Sequence, residues 1–437
     1  MKPIASSLAG LAALAALAIA GAVAAEGCSA SASGSGTGAT TAGGQGQGGN
    51  GGSGGKAAAS TGSQGGGGSP IDFTTTGTAP PCGQDPNVDS DHDGFTPAQG
   101  DCNDCDPNAN PGAVEVIDQS PDAGPPVDED CNGTADDVPQ PCDSGLALDS
   151  LDPYDAAKAV GLCQKATEND RVWGVLDAKW VMADGSAPPT IPGQLADYHL
   201  GHGILPDFGS NVHTQEGGAM LALSSGMARR PTDPGYQASY DKGFTGGSPA
   251  GFPKPSPACP GVTTKGPHDP VALEVTIRTP TNANGFAFDF NFYTAEWPKY
   301  ICTDFNDFFV TMLSPIPAGM ADGNISFDKQ GNPVSVNNAF VDVCSCTGGP
   351  PCMAGGKSFA CSQGSTQLQG TGFEGGAATG WLVTTAPVTG ATEVTVRFAV
   401  YDSSDGFVDA TTLVDHFRWL ATGGTVPVGT DPIQTPK

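Results

Sequence analysis

Alternation between apolar and polar or small residues is clearest in two stretches of the chain. In GFAFDFNFY, residues 285–293, phenylalanine occupies every second position, and TEVTVRFAVY, residues 392–401, repeats the alternation with valines and one phenylalanine. A period of two is typical of a half-buried β-strand. The apolar segments VALEVTIRT, DFFVTML and TTLVDHFRWL predict further strands.

One stretch has helical spacing instead. In residues 151–166, LDPYDAAKAVGLCQKA, apolar residues recur at helical intervals and Pro153 lies near the start. Because strands separated by Gly- and Pro-rich turns outnumber helices, the predicted fold class is mainly β, with a β-sandwich over residues 142–421 that has a short helical N-terminal part. We expect residues 231–260 to form a long surface insertion and residues 422–437 a flexible tail.

The N-terminal segment predicts export. Residues 1–27 combine Lys2 with an Ala- and Leu-rich apolar core, as a signal peptide does. The following AEGC resembles a bacterial lipobox, which implies that Cys28 is lipidated and holds the chain at a membrane. The rival interpretation is ordinary cleavage near Ala25 and a free secreted protein. Residues 28–80 have almost no large apolar side chains, so we expect a disordered Gly/Ser-rich tether.

Charge and cysteine content narrow the class of function. The net charge is −28 with only 18 basic residues, which disfavours nucleic acid and anionic lipid as partners and favours divalent cations. Of the 13 cysteines, all except Cys28 could pair in an oxidising compartment, although their connectivity cannot be read from the sequence. The expected location is the outer membrane or cell surface for a lipoprotein, or the medium for a secreted form.

The candidate chemistry lies in an acidic, cysteine-containing segment, residues 81–141, which we predict to be a metal-binding module. Its first loop reads DSDHDGF, where alternating aspartates followed by Gly94 can curl hard oxygens around one calcium ion. A regular EF-hand needs a glutamate at the twelfth loop position, where this chain has Gly100. The predicted ligands are Asp89, Asp91, Asp93, the carbonyl of Phe95, and Asp101, Asp104 and Asp106.

A second acidic loop repeats the pattern downstream. Asp128, Asp130 and Asn132 alternate, Gly133 follows, and Asp136 occupies the ninth position. These four side chains are the predicted ligands of a second calcium ion. The alternative interpretation is an acidic linker that is merely solvated by its charge.

The two loops together resemble a known motif. DSDHDGF, GDCNDCDPNANPGAVEV and DEDCNG, within residues 89–137, are similar to the metal-binding motif of MopE-type bacterial surface proteins, common in myxobacteria. This chain differs by the inserted DQSPDAGPP and by Cys105, where the family often has threonine. The resemblance implies a bound divalent metal, with calcium as the expected ion, and no known catalysis.

The sandwich carries a resemblance of its own. FDFNFYTAEWPKYICTDFNDFFVTML and VRFAVYDSSDGFVDATTLVDHFRW resemble the choice-of-anchor L domain of bacterial surface proteins. With further similar segments upstream, the resemblance covers roughly residues 142–421. It implies display at the cell surface, or release, without a known reaction.

Carboxylates of the sandwich could form another metal site. Aspartates from separate loops can meet at one end of a sandwich, but turn-capping aspartates are the simpler alternative. The candidates for this possible site are Asp402, Asp405, Asp409 and Asp415, with Glu296, Asp304 and Asp307 as possible partners.

Two other groups of residues imitate zinc sites. His199, His202 and His213 lack the H-E-x-x-H spacing of a zinc protease, so we expect a loop with exposed histidines. The cysteines of CSCTGGPPCMAGGKSFAC, residues 344–361, are better explained as disulfides than as a zinc knuckle.

The sequence therefore predicts a non-enzymatic cell-surface or secreted protein. Calcium would stiffen the acidic module, and the sandwich would serve adhesion or recognition of an extracellular glycan or protein ligand. The alternative is an extracellular hydrolase that uses Glu296 with Asp304 or Asp307 as an acid/base pair.

Overall fold

Two antiparallel β-sheets face each other and dominate the fold. The computed structural model describes residues 82–117, 124–338, 340–434 and 436. The predicted signal peptide, Cys28 and the tether lie outside these residues. The described part contains two α-helices, α1 (Pro153–Val160) and α2 (Pro192–Tyr198), and the strands β1 (Gly174–Val181), β2 (His202–Leu205), β3 (Met220–Ser224), β4 (Pro267–Arg278), β5 (Gly285–Thr294), β6 (Phe308–Ser314), β7 (Val343–Cys344), β8 (Cys352–Ala354), β9 (Lys357–Phe359), β10 (Ala377–Ala378), β11 (Leu382–Pro387), β12 (Glu393–Ser403), β13 (Ala410–Leu420) and β14 (Gly429–Pro432).

The strands form one small and one large sheet. The small sheet has the order β1-β4-β12-β6. The large sheet has the order β14-β11-β5-β13-β3-β2, and β10 pairs with both β5 and β7 beside it. All of these pairings are antiparallel, and β8 and β9 form a separate hairpin. The mainly β, sandwich-like prediction is therefore confirmed.

The core lies between the two sheets, where aromatic rings from β5 reach the small sheet. The ring of Phe288 packs edge-on against Phe398 of β12, with the ring centroids 5.0 Å apart. Phe290 meets Phe309 of β6 at 4.9 Å. All four side chains are fully buried. Each pair adds about 0.5–1.5 kcal/mol to the free energy gained from burying the rings.

The second face of β5 is buried too, which corrects the prediction of a half-buried strand. Asn291 and Tyr293 are both inaccessible to solvent. Loop and strand residues on the outer side of the large sheet cover them, and the ring of Phe208 lies 5.0 Å from that of Tyr293. The alternation of phenylalanines could not reveal that the second face of β5 is buried, because Asp289 and Asn291 on that face are polar residues.

Helix α1 begins and ends at the residues that its sequence favours. The Asp152 side chain accepts the backbone N–H of Tyr154 at 2.9 Å and caps the helix N-terminus. Gly161 follows the helix with a φ of 108°, in the left-handed conformation typical of a C-terminal cap. Among the residues that the structure describes, no helix is long and apolar enough to span a membrane.

Two segments predicted as peripheral take part in the fold. Gly429–Pro432, within the predicted flexible tail, forms β14 and pairs with β11 at the edge of the large sheet. In the predicted surface insertion 231–260, Phe244 belongs to the main hydrophobic core and the Lys242 side chain is buried. Both predictions are wrong for these residues, since composition alone does not show which irregular segments are packed.

All twelve cysteines of the described residues are paired. Six disulfides are typical of a protein that folds in an oxidising, extracytoplasmic compartment. The pairs are Cys82–Cys105, Cys102–Cys131, Cys142–Cys163, Cys259–Cys302, Cys344–Cys361 and Cys346–Cys352.

The acidic module is attached to the sandwich by hydrogen bonds from sandwich residues to the module's backbone. Asn282, in the turn between β4 and β5, accepts the backbone N–H of Val114 (3.0 Å) and donates its amide to the Val114 carbonyl (2.7 Å). Thr281 donates its backbone N–H to the carbonyl of Gly112 at 2.9 Å. Arg171 also donates to the Gly94 carbonyl. The module is thus held against one end of the small sheet's β4.

Candidate metal centres

The first acidic loop, residues 89–95, is closed by its own first carboxylate. Asp89 accepts the backbone N–H groups of His92 (2.7 Å) and Gly94 (3.1 Å). Gly94 has a φ of 99°, which glycine adopts without steric cost. Asp91 and Asp93 each accept the N–H two residues further on. The D-x-D-x-D-G sequence therefore folds as a succession of turns made by its carboxylates.

Five carboxylates converge at this loop, and we call them the first cluster. Oxygens of Asp89, Asp91 and Asp104 lie within 4.8 Å of one another, as do oxygens of Asp91, Asp93 and Asp101. Because Asp91 belongs to both groups, the five side chains form one continuous acidic group. Oxygens alone, supplied by several carboxylates, are the ligands that calcium prefers.

Three oxygens of the first cluster lack hydrogen-bond donors. The Oδ2 atoms of Asp91, Asp93 and Asp101 are buried and receive no hydrogen bond from the described residues. No lysine, arginine or histidine in that part of the chain forms an ion pair with them. A buried acceptor without a donor is costly. Three such buried oxygens at one place are the arrangement expected of ligands to a bound cation.

The pKa values of four carboxylates in the first cluster are shifted, and the shifts differ in direction. Burial raises the pKa of Asp93 to about 6, and burial is also the main cause that raises the pKa of Asp91 and Asp101. The pKa of Asp104 is lowered instead, because the backbone N–H groups of Ser90 (2.8 Å) and Gly83 (2.9 Å) donate to it.

The second acidic loop repeats the closure of the first. Asp128 accepts the backbone N–H groups of Asn132 (3.0 Å) and Gly133 (2.9 Å), and Gly133 has a φ of 95°. In both loops a leading aspartate thus binds the N–H of the glycine five residues later. The two loops therefore adopt the same type of turn.

The carboxylates around this loop, which we call the second cluster, include a residue that sequence reasoning missed. Glu115 shares one group with Asp128 and Asp130, and another with Glu129 and Asp136, each with oxygens within 4.8 Å of one another. The Glu115 carboxylate also accepts the N–H groups of Asp130 (3.2 Å) and Asp136 (2.6 Å). Burial raises the pKa of Glu115 and of Asp130.

The spacing of acidic residues in the sequence did not identify Glu115 or Glu129 as ligands. Glu129 stands between the alternating positions of its loop, and Glu115 comes from a separate segment that returns to the loop in space. The one available signal was the glutamate in NPGAVEV, within the motif that resembles MopE-type proteins.

Three predicted ligands have other contacts in the structure. Asp106 lies outside both clusters and accepts the backbone and side-chain N–H groups of Asn108 (3.1 and 2.9 Å). Asn132 donates its amide to Asp130 (3.0 Å), so it orients a carboxylate. Phe95 buries its ring and donates its N–H to Asp93 (2.7 Å). The predicted role of the Phe95 carbonyl stays a prediction.

The four aspartates predicted to form a site in the sandwich do not share one centre. Asp415 lies along β13, six residues and roughly 20 Å from Asp409. It accepts the N–H groups of Gln215 and His416, each at 2.6 Å. Asp409 accepts the N–H of Tyr240 (3.1 Å). Asp409 and Asp415 thus bind backbone N–H groups of segments distant in the chain, whereas Asp405 caps a local turn by accepting the N–H of Phe407 (3.3 Å).

Asp402 instead lies beside two of the predicted partner residues. The Asp307 N–H donates to the Glu296 carboxylate at 3.0 Å, and Asp402 is among the neighbouring carboxylates whose charge raises the pKa of Asp307. Burial raises the pKa of Asp402 to about 8 and raises those of Glu296 and Asp307 well above their usual values. Asp304, the remaining partner, is exposed.

The histidines and cysteines do not form zinc sites. His202 is buried in β2 with its ring stacked 3.7 Å from that of Trp180, so the expectation of an exposed loop is wrong for this residue. His199 contacts His202 through their ring nitrogens (2.8 Å), whereas His213 is exposed. The cysteines of residues 344–361 form two disulfides, which leaves no thiolate to bind a metal.

No family model, curated protein or solved structure matches this chain. The acidic clusters, the disulfides and the two sheets are therefore the observations on which a function can rest.

Proposed function

We propose that the acidic module, residues 81–141, binds calcium at its two clusters and thereby stiffens an exported protein. The carrying observation is the set of three buried carboxylate oxygens, on Asp91, Asp93 and Asp101, that have no hydrogen-bond donor among the described residues. A calcium ion takes six to eight oxygen ligands and so satisfies several such atoms at once.

Calcium would act on the stability of the module more than on any reaction. Binding to the folded state alone stabilises a protein by about 2.7 kcal/mol when the free ion is 100-fold above its Kd. Extracellular modules function with Kd values of about 10⁻⁴ to 10⁻³ M. Modest affinity would therefore suffice outside the cytoplasm.

The place of action that we propose is the bacterial surface or the surrounding medium. The six disulfides support export, and the AEGC sequence supports a lipid on Cys28 as the anchor. The sandwich would then present a recognition surface for an extracellular glycan or protein.

The hydrolase alternative receives no support from the geometry. Glu296 and Asp307 are both inaccessible to solvent, so a substrate could not reach them. Asp304 is exposed, and its backbone carbonyl accepts the Ser404 hydroxyl. We therefore propose a non-enzymatic protein.

Calcium titration calorimetry combined with thermal unfolding tests the proposal on the oxidised chain. We expect calcium to bind with micromolar to millimolar Kd and to raise the melting temperature, and chelator to reverse the rise. Asp91→Ala combined with Asp130→Ala should remove most of that shift, because one ligand is lost from each cluster.

Asp106→Asn is the matched control. This variant removes one carboxylate from the same module, and Asp106 lies outside both clusters, so calcium should still raise its melting temperature as in the parent. Unchanged melting of the parent protein in calcium and in chelator would overturn the proposal, and the module would then be a solvated acidic spacer.

A further inference from the structure

The two acidic loops differ at the position before their glycine. The first reads D-x-D-x-D-G and the second D-x-D-x-N-G, so Asn132 stands where the first loop has Asp93. Asn132 is exposed and precedes Gly133. Asparagine followed by glycine is prone to deamidation, because no side chain on the glycine obstructs attack of its backbone nitrogen on the asparagine carboxamide. The residue that interrupts the repeat is therefore also a reactive one.

The Asn132 side chain is folded back over the peptide group that follows it. Its Oδ1 atom accepts the backbone N–H of Thr134 at 2.9 Å. That hydrogen bond spans Gly133, whose nitrogen is the atom that attacks in deamidation. The Gly133 N–H in turn donates to the Asp128 carboxylate at 2.9 Å. One turn thus holds both the nucleophile and the carboxamide.

The hydrogen bonds of this turn favour the attack. A carboxylate that accepts an N–H polarises it, so Asp128 makes the Gly133 nitrogen more nucleophilic. When that nitrogen adds to the Cγ atom of Asn132, negative charge develops on Oδ1. The Thr134 N–H already donates to Oδ1. A donor placed in advance where charge develops lowers the barrier.

Carboxylates also surround the nitrogen that would leave. The Asn132 Nδ2 atom donates to Asp130 and to Asp137, each at 3.0 Å. This nitrogen becomes more positive as it takes up a proton, and negative charge on both neighbours stabilises that change. All three atoms that change charge in the reaction therefore have a suitable partner.

We propose that Asn132 deamidates in the folded protein and that the resulting aspartate completes the carboxylate pattern of the second loop. The Gly133 nitrogen bonds to Cγ of Asn132, the Cγ–Nδ2 bond breaks, and the Gly133 proton leaves with Nδ2 as ammonia. Water then opens the five-membered succinimide: its hydroxyl adds to Cγ and its proton to the Gly133 nitrogen, which yields aspartate. Opening at the other carbonyl yields isoaspartate, which lengthens the backbone by one carbon.

The consequence for calcium rests on the proposed function of the second cluster. The Asn132 amide is now a donor to Asp130 and Asp137. An aspartate there donates nothing and adds a like charge beside both, so the loop without an ion becomes less stable. A further carboxylate also strengthens calcium binding. Deamidation thus makes the loop more dependent on the ion.

The first test measures deamidation without reference to calcium. The oxidised protein is kept in chelator at mildly alkaline pH, either folded or unfolded in denaturant, and peptide mass spectrometry follows the gain of about one dalton at Asn132. We expect the folded protein to react several-fold faster, because only the folded loop holds Asp128 and Thr134 in place. A folded protein that reacts no faster than the unfolded one would overturn the proposal.

A second asparagine–glycine pair in the same samples is the internal control. The Asn284 amide donates to carbonyls of Thr422 and Gly424. Gly285 is buried in β5, opposite Pro387 of β11 and Leu420 of β13. This pair should react in the unfolded protein and be protected in the folded one, which is the opposite of the result expected at Asn132.

A pair of matched variants tests the role of Asp128. Asp128→Asn keeps an acceptor for the Gly133 N–H but removes its charge, so deamidation at Asn132 should slow several-fold in the folded protein. Asp106→Asn makes the same change in the same module, outside both clusters, and should leave the rate as in the parent. Equal rates in the two variants would overturn the proposed assistance by Asp128.

Asn132→Asp isolates the aspartate product for calcium calorimetry and thermal unfolding. We expect several-fold tighter calcium binding than in the parent and a lower melting temperature in chelator. Asn108→Asp adds the same charge beside Asp106, outside both clusters, and should not reproduce the gain in affinity. A parent that binds calcium together with an Asn132→Asp variant that binds it no more tightly would overturn the completion of the pattern.

The two readouts separate this inference from the function on which it rests. A parent that binds no calcium removes the consequence for the ion, whereas the mass change at Asn132 still decides whether the loop deamidates. Chromatography of the aged peptides distinguishes aspartate from isoaspartate. A pool of isoaspartate alone would overturn the completion of the carboxylate pattern.

Discussion

Cys102 and Cys131 form a disulfide that joins the two acidic loops, with their Cα atoms 5.5 Å apart. Cys102 lies between Asp101 and Asp104 of the first cluster, and Cys131 lies between Asp130 and Asn132 of the second loop. The covalent link therefore holds two groups of like charge close together, where repulsion alone would separate them.

Replacing both Cys102 and Cys131 by serine should weaken calcium binding and lower stability. A disulfide that closes a loop of about 30 residues contributes about 3–4 kcal/mol in the chain-entropy model. The measurement is denaturant unfolding in chelator together with calcium calorimetry. Replacement of Cys346 and Cys352, a pair outside the module, is the control and should leave calcium affinity unchanged; an equal loss of affinity in both variants would contradict the expectation.

Gly94→Ala should destabilise the first loop through its backbone alone. The added Cβ would meet no heavy atom within 4 Å, but the φ of 99° is unfavourable for alanine by about 1–2 kcal/mol. Calcium affinity should fall at that loop. Gly145→Ala, also at positive φ and also in open space, is the matched control and should cost stability without any change in calcium affinity.

Glu115→Gln should remove calcium binding from the second cluster and preserve it at the first. The reason is that Glu115 belongs to both carboxylate groups of the second cluster and to neither group of the first. Calorimetry should show one fewer ion bound by the module. Loss of binding at both clusters would mean that they function as one site.

Lys242 should make the protein more stable as the pH rises from about 8 to 10.5. Burial lowers the pKa of this lysine from 10.5 to about 8, and its ammonium group donates to the Ser224 carbonyl at 2.9 Å. Between the two pKa values the unfolded chain binds more protons than the folded one, so the free energy of unfolding increases with pH, by up to about 1.4 kcal/mol per pH unit.

Lys242→Met supplies the comparison for that slope. Denaturant unfolding from pH 7.5 to 10.5 should show the increase in the parent and a flatter dependence in the variant. The same pH dependence of the free energy of unfolding in both proteins would contradict the assignment of the increase to Lys242.

The strands and the acidic loops were predictable because their signals are local. Alternation around Phe288 and the spacing of Asp89, Asp91 and Asp93 each lie within a few residues. The place of Glu115 in the second cluster depends instead on a contact between separate segments. Glu115 joins a loop that begins thirteen residues later, at Asp128, and no spacing rule connects them.

Nearness in sequence also misled the prediction of a site in the sandwich. Asp409 and Asp415 are close along the chain, but Asp409 directly precedes β13 and Asp415 lies within it, so the extended strand carries them apart. Asp307 and Asp402 are 95 residues apart in the chain, yet β6 and β12 pair up to the residues beside them, Phe308 and Tyr401. That pairing follows only from the assembled sheet.

The Asn282 side chain forms hydrogen bonds with both backbone groups of Val114. It thereby provides a route by which mechanical force passes from the acidic module to the sandwich. Tension applied to the acidic module reaches the sandwich through the continuous chain, and also through this amide pair and Thr281 at the turn between β4 and β5. Because β4 and β5 belong to opposite sheets, a pull on their shared turn is divided between both layers. The attachment thus passes force to both sheets, and the rigidity of the module determines how evenly the two sheets share that force.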